Sequence, residues 1–197
     1  MKRKRRTKKG SGGKRVFISL ILIGIGIALL SIFDQEIRHF IRPWMERKGM
    51  VEGKKEVTLY FSDQEAEYLV GEKREIKRKE KVGDEAQELI RELIKGPKGR
   101  LLPTLPSRTK LISFQLDDKG VARANFSKAL AKDHPGGSSA EMMTVYSVVN
   151  TLVLNYPGIK RVQFLVEGKE IESITGHLSL SQPMASKPDL IRKSGNN

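Results

Sequence analysis

Hydrophobic and polar positions divide this chain into stretches of different kinds. Residues 16–33 (VFISLILIGIGIALLSIF) are apolar throughout, with Ser19 and Ser31 as the only polar members. As a helix rising about 1.5 Å per residue, the run is roughly 27 Å long, which matches a bilayer's hydrocarbon core. Residues 34–55 then form a juxtamembrane connector, in which Ile37, Phe40, Ile41 and Trp44 recur at near-helical spacing. Residues 57–61 (VTLYF) and 68–77 (YLVGEKREIK) have the composition of strands. A helix comes after them, in which Ala86, Leu89, Ile90, Leu93 and Ile94 form one core-facing stripe. Asp84 and Gln87 stand at capping-box spacing, and Gly96-Pro97 is a helix stop.

Beyond a proline-containing loop (residues 97–109), residues 111–116 alternate, with Ile112, Phe114 and Leu116 on one face. Asp117-Asp118-Lys119-Gly120 is a turn signal, and residues 121–126 return with Ala122, Ala124 and Phe126 inward. A second helix starts near Ser138, with Glu141 as its capping-box partner, and stops at Tyr156-Pro157-Gly158. Its apolar residues cover most of the circumference, so it is either buried on several sides or offers a face to a partner. Residues 161–166, a turn at 167–169 and a return over 170–174 complete the order β-β-α-β-β-α-β-β. This is an α+β domain with one layer of helices against one sheet. The expected organisation is a basic tail (1–15), a transmembrane helix (16–33), a connector (34–55), the folded domain (56–183) and a disordered tail (184–197).

Charge sharpens the membrane reading. The net charge is +14, yet nine basic residues fall within residues 1–15 and none of the 23 acidic ones precedes Asp34. From Asp34 onward 28 basic residues face all 23 acidic ones, so no nucleic acid is needed as a partner. The basic cluster holds the N-terminus in the cytoplasm, can rest on anionic lipid, and sends the chain beyond Phe33 across the membrane. No small-x-small site succeeds the apolar run, which argues for an uncleaved signal-anchor. The chain has no Cys, which excludes disulfides, thiol nucleophiles and a lipidated Cys.

Several phrases recur in a recognisable order: Ile94-Lys95-Gly96-Pro97, Leu102-Pro103-Thr104-Leu105-Pro106, Asn125-Phe126-Ser127, Gly136-Gly137-Ser138-Ser139-Ala140-Glu141, the helix from Val145 to Leu152, the strand from Val162 to Gly168, and Gly176-His177-Leu178. In this set the chain resembles the GerMN domain family of spore germination and sporulation proteins. The resemblance implies a bacterial, extracytoplasmic module held at the membrane, with a fold similar to ring-building motifs. Family members are often lipoproteins and some carry two modules. This chain has one module behind an apolar span.

Chemistry-bearing residues are few. His134, Gly136, Gly137, Ser138 and Ser139 lead into a helix N-terminus, where converging N–H groups and the helix dipole could hold an anion or carboxylate. A structural entry loop explains the same residues. His177 joins them as a second turn histidine. No histidine pair has metal-ligand spacing, no nucleophile elbow is present, and no carboxylate pair stands out for glycoside cleavage. Neither enzyme activity nor a cofactor is expected. Two functions remain. One is a non-catalytic scaffold that oligomerises or docks on envelope proteins. The other is a module that binds peptidoglycan, glycan or wall peptide near His134–Ser139. Asn150 and Asn155, inside the second helix, are expected to bond a neighbouring loop or a partner.

Overall fold

The computed structural model describes residues 53–192. The basic tail, the expected span over 16–33 and nearly all of the connector lie outside them. Among the described residues no helix is long and apolar enough to cross a membrane.

Two antiparallel strands open the domain, β1 (Lys54–Ser62) and β2 (Leu69–Lys77), in register from Lys54 opposite Lys77 to Ser62 opposite Leu69. Alternation puts Val57, Leu59 and Phe61 of β1 and Ile76 of β2 on the buried face. Helix α1 (Val82–Ile94) buries the expected stripe of Ala86, Leu89, Ile90 and Leu93, with Ile94 packed at its margin. Truncating Leu89 to Ala would cost about 2–5 kcal/mol, as for other filled core sites. The helix begins earlier than the Asp84–Gln87 capping box implies. Lys81 is the N-cap, its carbonyl takes the amides of Asp84 and Glu85, and both acids sit in the first turn, where the dipole favours them. Gly96 ends it at φ +84°, a conformation that glycine adopts without steric cost.

The second sheet is mixed. Strand β3 (Leu111–Leu116) pairs antiparallel with β4 (Val121–Phe126), which pairs in parallel with β5 (Arg161–Val166). The crossover between the parallel strands runs through a short helix α2 (Ala129–Lys132) and the long helix α3 (Ser138–Asn155). Two short strands, β6 (Lys169–Glu170) and β7 (Met184–Ala185), pair with opposite ends of β5. Ala122, Ala124 and Phe126 are fully buried, and Phe126 stacks on Phe164 at 5.9 Å between ring centroids. The Asp117–Gly120 turn forms as expected. Asp117 Oδ1 accepts from the amides of Lys119 and Val121, and a side chain at Gly120 would strike the Gly158 carbonyl at 2.8 Å. Glu167 and Gly168, both at positive φ, make the two-residue turn between β5 and β6.

Three expectations about the fold are corrected. There are two sheets rather than one: β1–β2 pairs with no strand of the β3–β7 sheet, and its isolated bridges run to Leu102 and Ile191, outside both sheets. The register of β3 breaks between Leu111 and Ser113, so Ile112 is 51 % exposed while Leu111 and Phe114 turn toward the core. Residues 184–192 belong to the fold rather than to a disordered tail. After β7 a 3₁₀ turn (Pro188–Leu190) leads to Ile191, bridged to Leu69, and to Arg192, whose amide bonds the Leu69 carbonyl.

Helix α3 is central. It packs against β1, α1, β5 and β7, and ten of its residues from Glu141 to Leu152 are buried. Its wide apolar surface is thus covered by the chain itself, which removes it as the docking face its composition suggested. The core runs from Val57 to Leu180, so the compact unit from Val51 to Asn197 contains its own core, as a domain able to fold alone requires.

Candidate functional site

The loop between α1 and β3 (residues 95–110) is pinned at three points. Arg74, a buried β2 cation, donates to the Gly96 carbonyl at 2.8 Å and is held by Glu72 and Glu92. Leu102 exchanges backbone hydrogen bonds with Ser62, and the Thr144 hydroxyl donates to the Thr104 carbonyl at 2.5 Å. Between these pins the loop stands off α3 and encloses a groove of about 740 Å³, within the range of small-ligand pockets. Ile94, Leu101, Leu102, Leu105 and Met143 line it, together with Pro97, Pro103, Pro106 and Pro135. The lining includes Thr104, whose hydroxyl is buried without a hydrogen-bond partner. Among the described residues no Trp, Tyr or Phe lines the groove.

None of the sequence-selected residues lines this groove: Pro135 and Ala140, on either side of Gly136–Ser139, are part of its wall, and His177 lies on the separate loop held by Glu141. His134 is half-buried and wired at both ring nitrogens. Gly136 donates its amide to Nδ1 at 3.0 Å, and Nε2 lies 2.9 Å from the Thr144 hydroxyl. That hydroxyl's proton is committed to Thr104, so Nε2 carries the hydrogen and the ring is neutral. Burial pushes His134 below its ordinary value; Glu141 and the Ala140 backbone pull it partly back.

Gly136 and Gly137 both have positive φ, and Gly137 is the N-cap of α3. One amide of the expected anion cradle is therefore already taken, by His134. Ser138 and Ser139 are exposed at the start of the helix. His177 is exposed and contributes only its backbone amide, which it donates to Glu141.

The group that organises this region is Glu141. It does not reach back to Ser138 as a capping box requires. Its fully buried carboxylate instead accepts from the amides of Ile174, Thr175 and His177 and from the Thr175 hydroxyl, at 2.7–3.1 Å. Burial alone would push it up, but the four donors outweigh that and hold it below the usual carboxylate range. A carboxylate so satisfied is a clamp on the 174–177 loop rather than a general base or nucleophile. Four donors on one carboxylate depend on a distant loop, and the Ser138–Glu141 spacing pointed to a cap instead. Among the described residues no group of acidic, Cys or His side chains is arranged to hold a metal ion.

The sequence matches the family model Germane, described as sporulation and spore germination, over residues 58–172. A candidate lipoprotein from Clostridium perfringens is 30 % identical and superposes over 72 % of this chain and 95 % of its own, with a TM-score of 0.50. The first GerMN domain of the Bacillus subtilis sporulation protein GerM covers 68 % of this chain and 99 % of its own at 20 % identity, with a TM-score of 0.56. The tandem GerMN domains of the same protein give 20 % identity and a TM-score of 0.54, with this chain spanning 51 % of their length. At that identity the GerM likeness is one of fold. No protein with a curated description matches the sequence.

Proposed function

We propose, for a chain that belongs to the Germane family of sporulation and spore-germination domains, a non-catalytic role as a membrane-held interaction module on the outer side of the cytoplasmic membrane. One observation carries the non-catalytic half: the groups best suited to chemistry, Glu141 and His134, are fully committed to holding loops together. The membrane half rests on the apolar run over 16–33 behind nine cations. A relative described as a lipoprotein fits the same location by a different tether.

The interaction surface is the preformed groove beside the 95–110 loop, since the apolar face of α3 is spent inside the domain. The glycan reading gains no support from the groove, whose lining among the described residues offers no aromatic ring for a sugar face to stack on. The test is photocrosslinking of the full chain in its native envelope. A photoreactive residue replaces Leu102, in the groove, or Asp118, in the β3–β4 turn. A discrete protein adduct is expected from Leu102 alone. Absence of any adduct at Leu102, or equal adducts from both positions, contradicts the proposal.

A further inference from the structure

The groove's lining and its surroundings differ in a way that defines a ligand. The lining is mostly apolar and stiffened by prolines, so it is preformed and a ligand is spared much of the ordering cost of binding. Along the loop that walls it the charge has one sign, and the exposed acids Glu65 and Glu67 flank Ala66 on the other side. From Lys95 to Lys110 the loop carries five cations and no acid. Lys95 is paired with Glu92 and Arg108 with Asp133, while the exposed Lys98 and Arg100 have no ion pair among the described residues. Glu72, the acid beside them, is occupied by Arg74 and by the amides of Lys98 and Gly99.

The geometry points to an acidic peptide segment as the ligand, with one or two apolar side chains seated in the groove and its carboxylates over Lys98 and Arg100. This inference rests on the proposed reading of the chain as a non-catalytic interaction module. A concave slot accepts side chains that protrude from a partner. A lipid surface would need apolar residues projecting outward, and here they line the inside. The prolines and the cationic rim act on different steps. The apolar fit sets how long the segment stays, and the rim sets how fast and with what salt dependence it arrives.

The experiment is fluorescence anisotropy with the unit from Val51 to Asn197, which leaves out the basic tail. The probe is a short fluorescein-labelled peptide with a central leucine pair flanked by glutamates. Its counterparts replace the glutamates by lysines or the leucines by serines. The glutamate–leucine peptide should bind at least about tenfold more tightly than either counterpart, and more weakly as salt is raised. Ala140→Trp, which fills the groove, should abolish binding. The surface variant Lys98→Glu/Arg100→Glu should weaken it several-fold at low salt, and this second variant decides the matter if the first fails to fold. Equal binding of the lysine peptide, or full binding by a folded Ala140→Trp variant, overturns the inference. So does capture of anionic phosphatidylglycerol vesicles in preference to the peptide. Mass spectrometry of the recovered peptide separates the two readings. A cleaved peptide contradicts the non-catalytic role, whereas an intact peptide that ignores the groove contradicts only the ligand assigned here.

Discussion

The side-chain amide of Asn155 holds Thr58 at both backbone polar atoms, accepting from its N–H at 2.9 Å and donating to its carbonyl at 2.7 Å. One turn earlier on α3, the Thr151 hydroxyl accepts from the amide of Tyr60 at 3.1 Å. Four residues along a helix rise about 6 Å and two residues along a strand about 6.7 Å, so the two spacings match. The helix thus serves β1 as a partner strand, with side chains standing in for a backbone. This covers an edge that would otherwise expose unpaired groups. Asn155→Ala should therefore cost about 1–3 kcal/mol, read as a lower urea midpoint with an unchanged slope.

Asn150 makes the same two-point grip on Lys187, from another side of the helix. With Arg192 on the buried Asp63 at 2.5 Å, it ties the C-terminal strap across the domain. Arg192→Ala should cost about 1–2 kcal/mol, less than for a fully buried pair because Arg192 is half exposed. Hydrogen exchange should then quicken over residues 184–192 and leave the amides of β4 as they were.

Glu141 has a folded-state pKa below its unfolded value. The stability it confers is complete above the ordinary carboxylate value and is lost as pH falls through the folded one. Glu141→Gln should cost about 2–3 kcal/mol at pH 7 and should flatten the acid limb of stability against pH. Urea melts at neutral and acid pH check both outcomes.

His134 is also depressed, chiefly by burial. For a histidine this means that stability is complete above the ordinary value and declines as pH falls below it, because Nδ1 must be protonated and can no longer accept from Gly136. Nitrogen NMR should find the Nε2–H tautomer and a titration below 6.5, the ordinary value. His134→Ala should lose that part of the pH dependence.

The bulge in β3 leaves Ile112 exposed, whereas Phe126 on the neighbouring β4 is fully buried. Ile112→Ser should change stability by no more than about 0.5 kcal/mol, whereas Phe126→Ala should cost about 3–5 kcal/mol. Thermal melts of the two variants settle whether the register breaks where the structure places it.

How much of the fold was legible in the sequence depends on the range of each signal. The α1 stripe and the inward face of β4 are local periodicities, and the Asp117–Gly120 turn is local backbone chemistry, so all three could be read directly. On β3, Phe114 and Leu116 face the core as their alternation implied, and only Ile112 was misplaced, because the bulge breaks the period-two pattern before Ser113. The strap over 184–192 has two-residue pairings and no periodicity, so its polar composition read as disorder. The Asp84 and Glu141 cap signatures misled in the same way. Each has the right spacing, but its carboxylate serves another purpose, a first-turn charge in one case and a clamp on a distant loop in the other. The phrase Leu102–Pro106 was visible as a string, yet only the packing of its loop against α3 makes it the wall of a groove.

The central claim is that the chemistry-bearing side chains hold the domain together while the groove makes the contact. Its most direct test measures, in the Glu141→Gln variant of the full chain, both the unfolding midpoint and the Leu102 photoadduct at a temperature where the variant is folded. A lowered midpoint with an undiminished adduct is predicted. An unchanged midpoint with the adduct lost would contradict the account, because Glu141 would then act on the partner and not on the fold.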